Sequence, residues 1–179
     1  MKVNNIFTII DESLYSVMYE GEIEHEFRRI FNNWNDPEYL EAFFEEHKAD
    51  LQSGFRGNIT IDKAVSLTRI FAKNLEKKIL KTAEAGKKDR EEALSTLFRP
   101  LHDTTIEMED FEMNKVRGTE DKSWLRIYAI RIELNLFVVS GGAIKLTRTM
   151  QEREHTNLEL NKLDITQKYL QDQENDHGF

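Results

Sequence analysis

The stretch Trp124–Arg153, WLRIYAIRIELNLFVVSGGAIKLTRTMQER, most constrains what this chain can fold into. Strand-like apolar runs here carry arginines at close spacing and end in Gly-Gly and a short basic segment. From Leu125 to Ile132 the residues are apolar, β-branched or aromatic apart from Arg126 and Arg131, and Leu136 to Val139 repeats that character. Two antiparallel strands joined by a short turn are predicted. Gly141 and Gly142 then mark a bend or bulge, because glycine takes positive φ without steric cost. Beyond them Lys145 and Arg148 stand beside Thr147 and Thr149, so cations and hydroxyls gather just past a sheet. Anions are the expected guests. Residues two apart on a strand share a face, which puts Arg126 with Tyr128 and Arg131 on the other side.

Charge sets bounds on that expectation. The 179 residues carry a formal net charge of −8, which argues against a general nucleic-acid binder, since lysine and arginine make the phosphate contacts. The charge is uneven, however. Residues 1–50 hold four basic and twelve acidic groups, and residues 149–179 three and seven, whereas residues 114–148 hold seven and three, a net of +4 on the proposed sheet. A local field acts on a docking ligand more than total charge does. A cationic sheet edge is also an ordinary defence against edge-to-edge aggregation. With no cysteine there is neither a disulfide framework nor a thiolate metal site. No apolar run reaches the roughly 18 residues of a membrane span, and Met1–Ile10 lacks a signal-peptide core, so a cytoplasmic protein with no membrane partner is expected.

The remainder reads as mostly helical. Leu14–Tyr19 has a short strand pattern closed by Gly21. Ile23, Phe27, Ile30, Phe31 and Trp34 form one helical stripe, and Leu40, Phe43, Phe44, His47 and Leu51 a second, with Pro37 suited to the first turn between them. Asp62 is the expected cap of a longer helix running to about Ala83, followed by a shorter helix ending before Pro100. Thr156-Asn157-Leu158-Glu159 reads as a capping box opening a C-terminal helix striped by Leu160, Leu163, Gln167 and Leu170. The predicted fold is a single α+β domain over 1–179. A small antiparallel sheet packs against an N-terminal helical hairpin, with a helical insertion at about 53–100, a C-terminal helix and an acidic tail at about 171–179 that frays.

Other chemistry-bearing groups read as structural. His47 lies on an apolar stripe, and His25, His102, His155 and His177 show no ligand spacing, so no metal site is expected. Glu45-Glu46 and the run Glu107, Glu109, Asp110, Glu112 read as solvated faces, and Phe27, Phe31, Trp34, Phe43 and Phe44 as core. No P-loop, nucleotide-binding glycine fingerprint or nucleophile elbow is present.

The order of a strand at Leu14–Tyr19, two helices, Lys115-Val116-Arg117-Gly118, then strands at Trp124–Ile132 and Leu136–Ser140, resembles the RelE/HigB-like toxin superfamily. The match is strongest over residues 115–153, in Gly118, Leu125-Arg126-Ile127-Tyr128 and the basic segment. The resemblance implies a ribosome-dependent, metal-independent mRNA endonuclease of a toxin–antitoxin pair. It implies Arg126, Tyr128 and Arg131 as catalytic residues, the arginines on phosphate and the tyrosine in positioning or proton transfer. It implies Lys115, Lys145 and Arg148 as substrate-binding residues, no cofactor, and an antitoxin, the ribosome and mRNA as partners. Arginine holds phosphate bidentately and offsets developing charge, which is the physical content of those roles. The chain departs from the family in size, in acidity and in the added sequence at 53–100. The alternative class is a non-catalytic protein-interaction component of a phage or mobile element on a toxin-like fold. Clustering of Arg126, Tyr128, Lys145 and Arg148 in one groove favours the nuclease; dispersal of those residues, or their burial in ion pairs with Glu133 and Glu154, favours the binder.

Overall fold

The first strand, β1 (Val3–Ile10), pairs antiparallel with β2 (Leu14–Tyr19) through a turn in which Glu12 takes a left-handed φ of 63°. This computed structural model describes residues 1–53, 57–102, 111–149 and 152–176. Two helices follow, α1 (Glu26–Asn35) and α2 (Pro37–Glu46), then a single turn α3 (Lys48–Leu51) and the long α4 (Ile61–Gly86). Two 3-10 turns lead to β3 (Arg99–Pro100), β4 (Glu112–Arg117), β5 (Leu125–Glu133) and β6 (Leu136–Ile144), and α5 (Glu154–Asp176) completes the described chain. The fold is α+β. Of the acidic run, Glu107, Glu109 and Asp110 lie outside the described residues, as does His177.

The six strands form one mixed sheet in the order β1-β2-β6-β5-β4-β3. The expected antiparallel β5–β6 hairpin is present, but the sheet is not purely antiparallel, because β2 runs parallel to β6 through Leu14–Phe137 to Ser16–Val139. Residues so far apart in sequence leave no local signal of such a pairing. Helices cover both faces. Phe27, Ile30, Phe31 and Trp34 of α1, with Leu75 and Ile79 of α4, share one core with Ile127, Phe137 and Val139. Leu163 and Leu170 of α5 share the other with Val17, Tyr19, Tyr128 and Val138. α1 lies against β6 and β2, whereas α2 rests mainly on α4.

Several element boundaries differ from the sequence expectation for identifiable reasons. α1 starts at Glu26 and leaves Ile23 exposed, because the His25 ring accepts the Arg28 N–H and the Ser16 hydroxyl accepts that of Phe27 at 2.8 Å. Thr60 rather than Asp62 caps α4, accepting the Lys63 N–H, while Asp62 faces the positive end of the helix dipole. The helix expected before Pro100 is replaced by the 3-10 turns Arg90–Glu92 and Leu94–Thr96. Asn135 in the β5–β6 turn ties them down, accepting the Leu94 N–H and donating to Ala83 O at the end of α4. α5 opens at Glu154, so Thr156 and Glu159 sit inside it rather than forming a capping box, and it stays helical to Asp176 in the segment expected to fray.

Gly141 and Gly142 continue β6 as paired residues instead of turning the chain, and the bulge falls beside them. Tyr128 pairs with Gly141 but Ala129 with Val139, leaving Ser140 as the extra residue. Close approach explains the glycines. A methyl at Gly141 would collide with the Glu159 carboxylate, and one at Gly142 would lie 3.0 Å from Arg126 O and from Ile30.

Candidate functional site

The three residues predicted to be catalytic do not share an open site. Arg126 is 3% exposed, and its Nη1 donates to Ser123 O and Leu125 O at 3.0 and 2.7 Å. Tyr128 is 0% exposed, and burial raises its phenol well above the ordinary range. Arg131 is 9% exposed and points to the opposite face, between Glu112 and Phe137 in the register. With helices on both faces, a polar residue in a central strand meets protein on either side, so strand alternation alone does not bring it to water.

The residues predicted to bind substrate are placed differently. Lys115 is half-buried on β4, and strand alternation gives Arg117 the same face. Lys115 and Arg117, with Lys78 from α4 and Arg99 from β3, line a cleft of about 430 Å³ that includes the Thr96 and Thr119 side chains and no carboxylate. The cleft exists because β3 is only two residues long and pairs with Asn114 and Lys115 alone, leaving the edge of β4 uncovered at Val116–Arg117. None of the four cations forms an ion pair among the described residues. Sequence reasoning found Lys115 but missed Lys78, Arg99 and Arg117, because only the sheet edge and α4 bring them together.

Lys145 and Arg148 lie toward the same end of the sheet, since Arg117, Arg126 and Ala143 form one cross-strand row and Lys145 follows shortly after. With two strand spacings between Arg117 and Ala143, the cleft and the basic segment are separated by about 10 Å across the sheet. The Lys145 ammonium donates to Arg148 O at 2.6 Å, and Arg148 is exposed. Nearby, Arg153 clamps Asp50 through two bonds of 2.7 and 2.6 Å and lowers its carboxyl below the usual range, and Glu152 accepts from the Thr149 N–H and hydroxyl.

The densest charge cluster is elsewhere and was not legible in the sequence. Lys162 of α5 is 4% exposed and bridges Glu26 Oε2 at 3.0 Å and Glu159 Oε1 at 3.1 Å. Arg29 holds Glu26 bidentately at 2.9 and 2.7 Å. Burial pushes the Glu159 carboxyl up to about 7 against the pull of Lys162, and Glu159 Oε2 has no hydrogen-bond partner among the described residues. Tyr19 closes the cluster, donating to Ser140 O at 2.8 Å and meeting the Thr166 hydroxyl at 3.0 Å. Alongside, the His47 and His155 rings stand 4.6 Å apart, with His155 Nε2 2.8 Å from Ile144 O. Burial and His155 lower the affinity of His47 for a proton. Among the described residues no group of three or more histidines and carboxylates is arranged to hold a metal ion, and no helix is long and apolar enough to cross a membrane.

The class defined so far is an α+β protein with a cationic cleft at one sheet edge and a buried ionic cluster under its last helix. Compared with known proteins, the chain matches no family model, no curated protein and no solved structure.

Proposed function

We propose that this protein is a toxin-like member of a toxin–antitoxin pair that engages mRNA on the ribosome through its cationic sheet edge. The observation that carries the reading is the Lys78–Arg99–Lys115–Arg117 cleft, four cations without an ion pair among the described residues in a chain of net charge −8. Uncompensated lysine and arginine are what phosphate contacts require. The order of strand, two helices and consecutively paired antiparallel strands ending in a basic segment supports it as well. In this reading Lys115, Lys145 and Arg148 hold the RNA backbone. Arg126, Tyr128 and Arg131, buried in the sheet, act by shaping the strands that present those cations.

Binding of single-stranded RNA across a salt series tests it. Each phosphate contact contributes about −0.7 to the slope of log affinity against log salt, so the four cleft cations with Lys145 and Arg148 give about −4. The Lys115→Ala, Arg117→Ala variant is expected to lower that slope by about a third. A slope near zero, or one the variant leaves unchanged, contradicts RNA binding at this cleft.

Burial of Arg126, Tyr128 and Arg131 favours a second reading, a non-catalytic component that binds a protein partner.

A further inference from the structure

The long helix α4, which lies in the added sequence at 53–100, carries a cationic row that the cleft does not account for. From Lys63 to Lys81 it has six basic residues, Lys63, Arg69, Lys73, Lys77, Lys78 and Lys81, against one acid, the half-buried Glu76. All six are exposed, and none forms an ion pair among the described residues. Lys78 lines the cleft. Arg69, Lys73, Lys77 and Lys81 recur at every fourth position, so they follow one side of the helix about 6 Å apart along its axis, over about 18 Å in all.

The fold does not need this row. α4 is held by its opposite side, where Ala64, Phe71, Leu75 and Ile79 enter the core. Like charges four residues apart oppose each other, so the row weakens the helix that bears it. In a chain of net charge −8, a rigid line of uncompensated cations fits a polyanionic surface. The other exposed residues between Lys63 and Lys81 are Ser66, Ile70 and Asn74, so no aromatic ring stands beside the charges as a stacking platform for single-stranded bases. A lipid surface is a poor match too, because the apolar side of α4 is already buried in the core. We propose that α4 docks on the phosphate backbone of double-stranded RNA, such as the helices of ribosomal RNA, while the cleft holds the single-stranded message. Duplex RNA is recognised through its phosphates and shape rather than its base edges, and a straight row of cations is suited to that. The ribosomal source of the duplex rests on the mRNA reading proposed above.

Fluorescence anisotropy of the full chain with a labelled RNA duplex of about 16 base pairs, and with single-stranded RNA, tests this across a salt series. The Arg69→Gln, Lys73→Gln, Lys77→Gln, Lys81→Gln variant keeps good helix formers at exposed positions and spares the cleft. It is expected to bind the duplex at least about tenfold more weakly, with a salt slope smaller by about 3, and to lose less than about threefold for the single strand. The charge-preserving variant Lys73→Arg, Lys77→Arg, Lys81→Arg is expected to retain duplex affinity. Absence of duplex binding by the wild type, full duplex affinity in the glutamine variant, or an equal loss for both RNAs overturns the proposal. Failure of the cleft reading shows separately, as single-strand affinity that Lys115→Ala, Arg117→Ala leaves unchanged.

Discussion

Replacing Lys162 with methionine is expected to destabilise the protein by about 3–5 kcal/mol, read as a lowered denaturant midpoint. Methionine keeps most of the side-chain volume, so the loss isolates the charge. Among the described residues Lys162 is the one group that bonds both Glu26 and Glu159, and both carboxylates are buried. Without it Glu159 loses the partner of its Oε1, while Glu26 retains only Arg29. Removing one member of a buried pair costs far more than the pair contributes, because the orphaned charge keeps its desolvation penalty. The double variant Lys162→Met, Glu159→Gln also removes the carboxylate that the first change orphans, and should be less destabilised than the sum of the single variants. Full additivity would mean that the two side chains do not interact.

The second large effect is a pH dependence traced to Glu159. Its carboxyl titrates near 7 in the folded protein against an ordinary 4.5, so folding favours the protonated form. A raised carboxyl contributes stability that is fully present below about pH 4.5 and is lost as the pH rises through about 7. The loss is about 3 kcal/mol at most, since each tenfold change in proton affinity is worth roughly 1.4 kcal/mol. His47 and Asp50 work in the other direction. Both hold depressed values, so their contributions are lost on acidification, His47 below its ordinary 6.5 and Asp50 below its ordinary 3.8. Glu159→Gln isolates the effect. Its stability relative to wild type should rise by up to about 3 kcal/mol between pH 5 and pH 8, and a pH-independent difference would contradict the assignment.

How far the fold was legible follows from where its information lies. The β5–β6 hairpin and the stripes of α1 and α4 were readable because their apolar periodicity is local. β1 was missed. Its sequence, VNNIFTII, mixes asparagine and threonine into an edge strand, and its turn places Glu12 rather than glycine at positive φ. The toxin resemblance pointed to Lys115 as a substrate-binding residue, but Lys78 and Arg99 join it only because a two-residue β3 leaves the edge of β4 open beside α4. The Glu26–Lys162–Glu159 cluster was hidden for the opposite reason. On α5 its members read as an exposed polar face, and burial comes from α1 and Gly141, far away in sequence.

Whether the cationic sheet edge engages mRNA on the ribosome is tested most directly by ultraviolet crosslinking of the protein to a reporter message in a cell-free translation reaction. The comparison is between wild type and Lys115→Ala, Arg117→Ala. Crosslinks that require ribosomes and fade in the variant are the predicted result. A message left uncrosslinked during active translation with wild-type protein would contradict mRNA engagement and leave the non-catalytic protein-binding reading in its place.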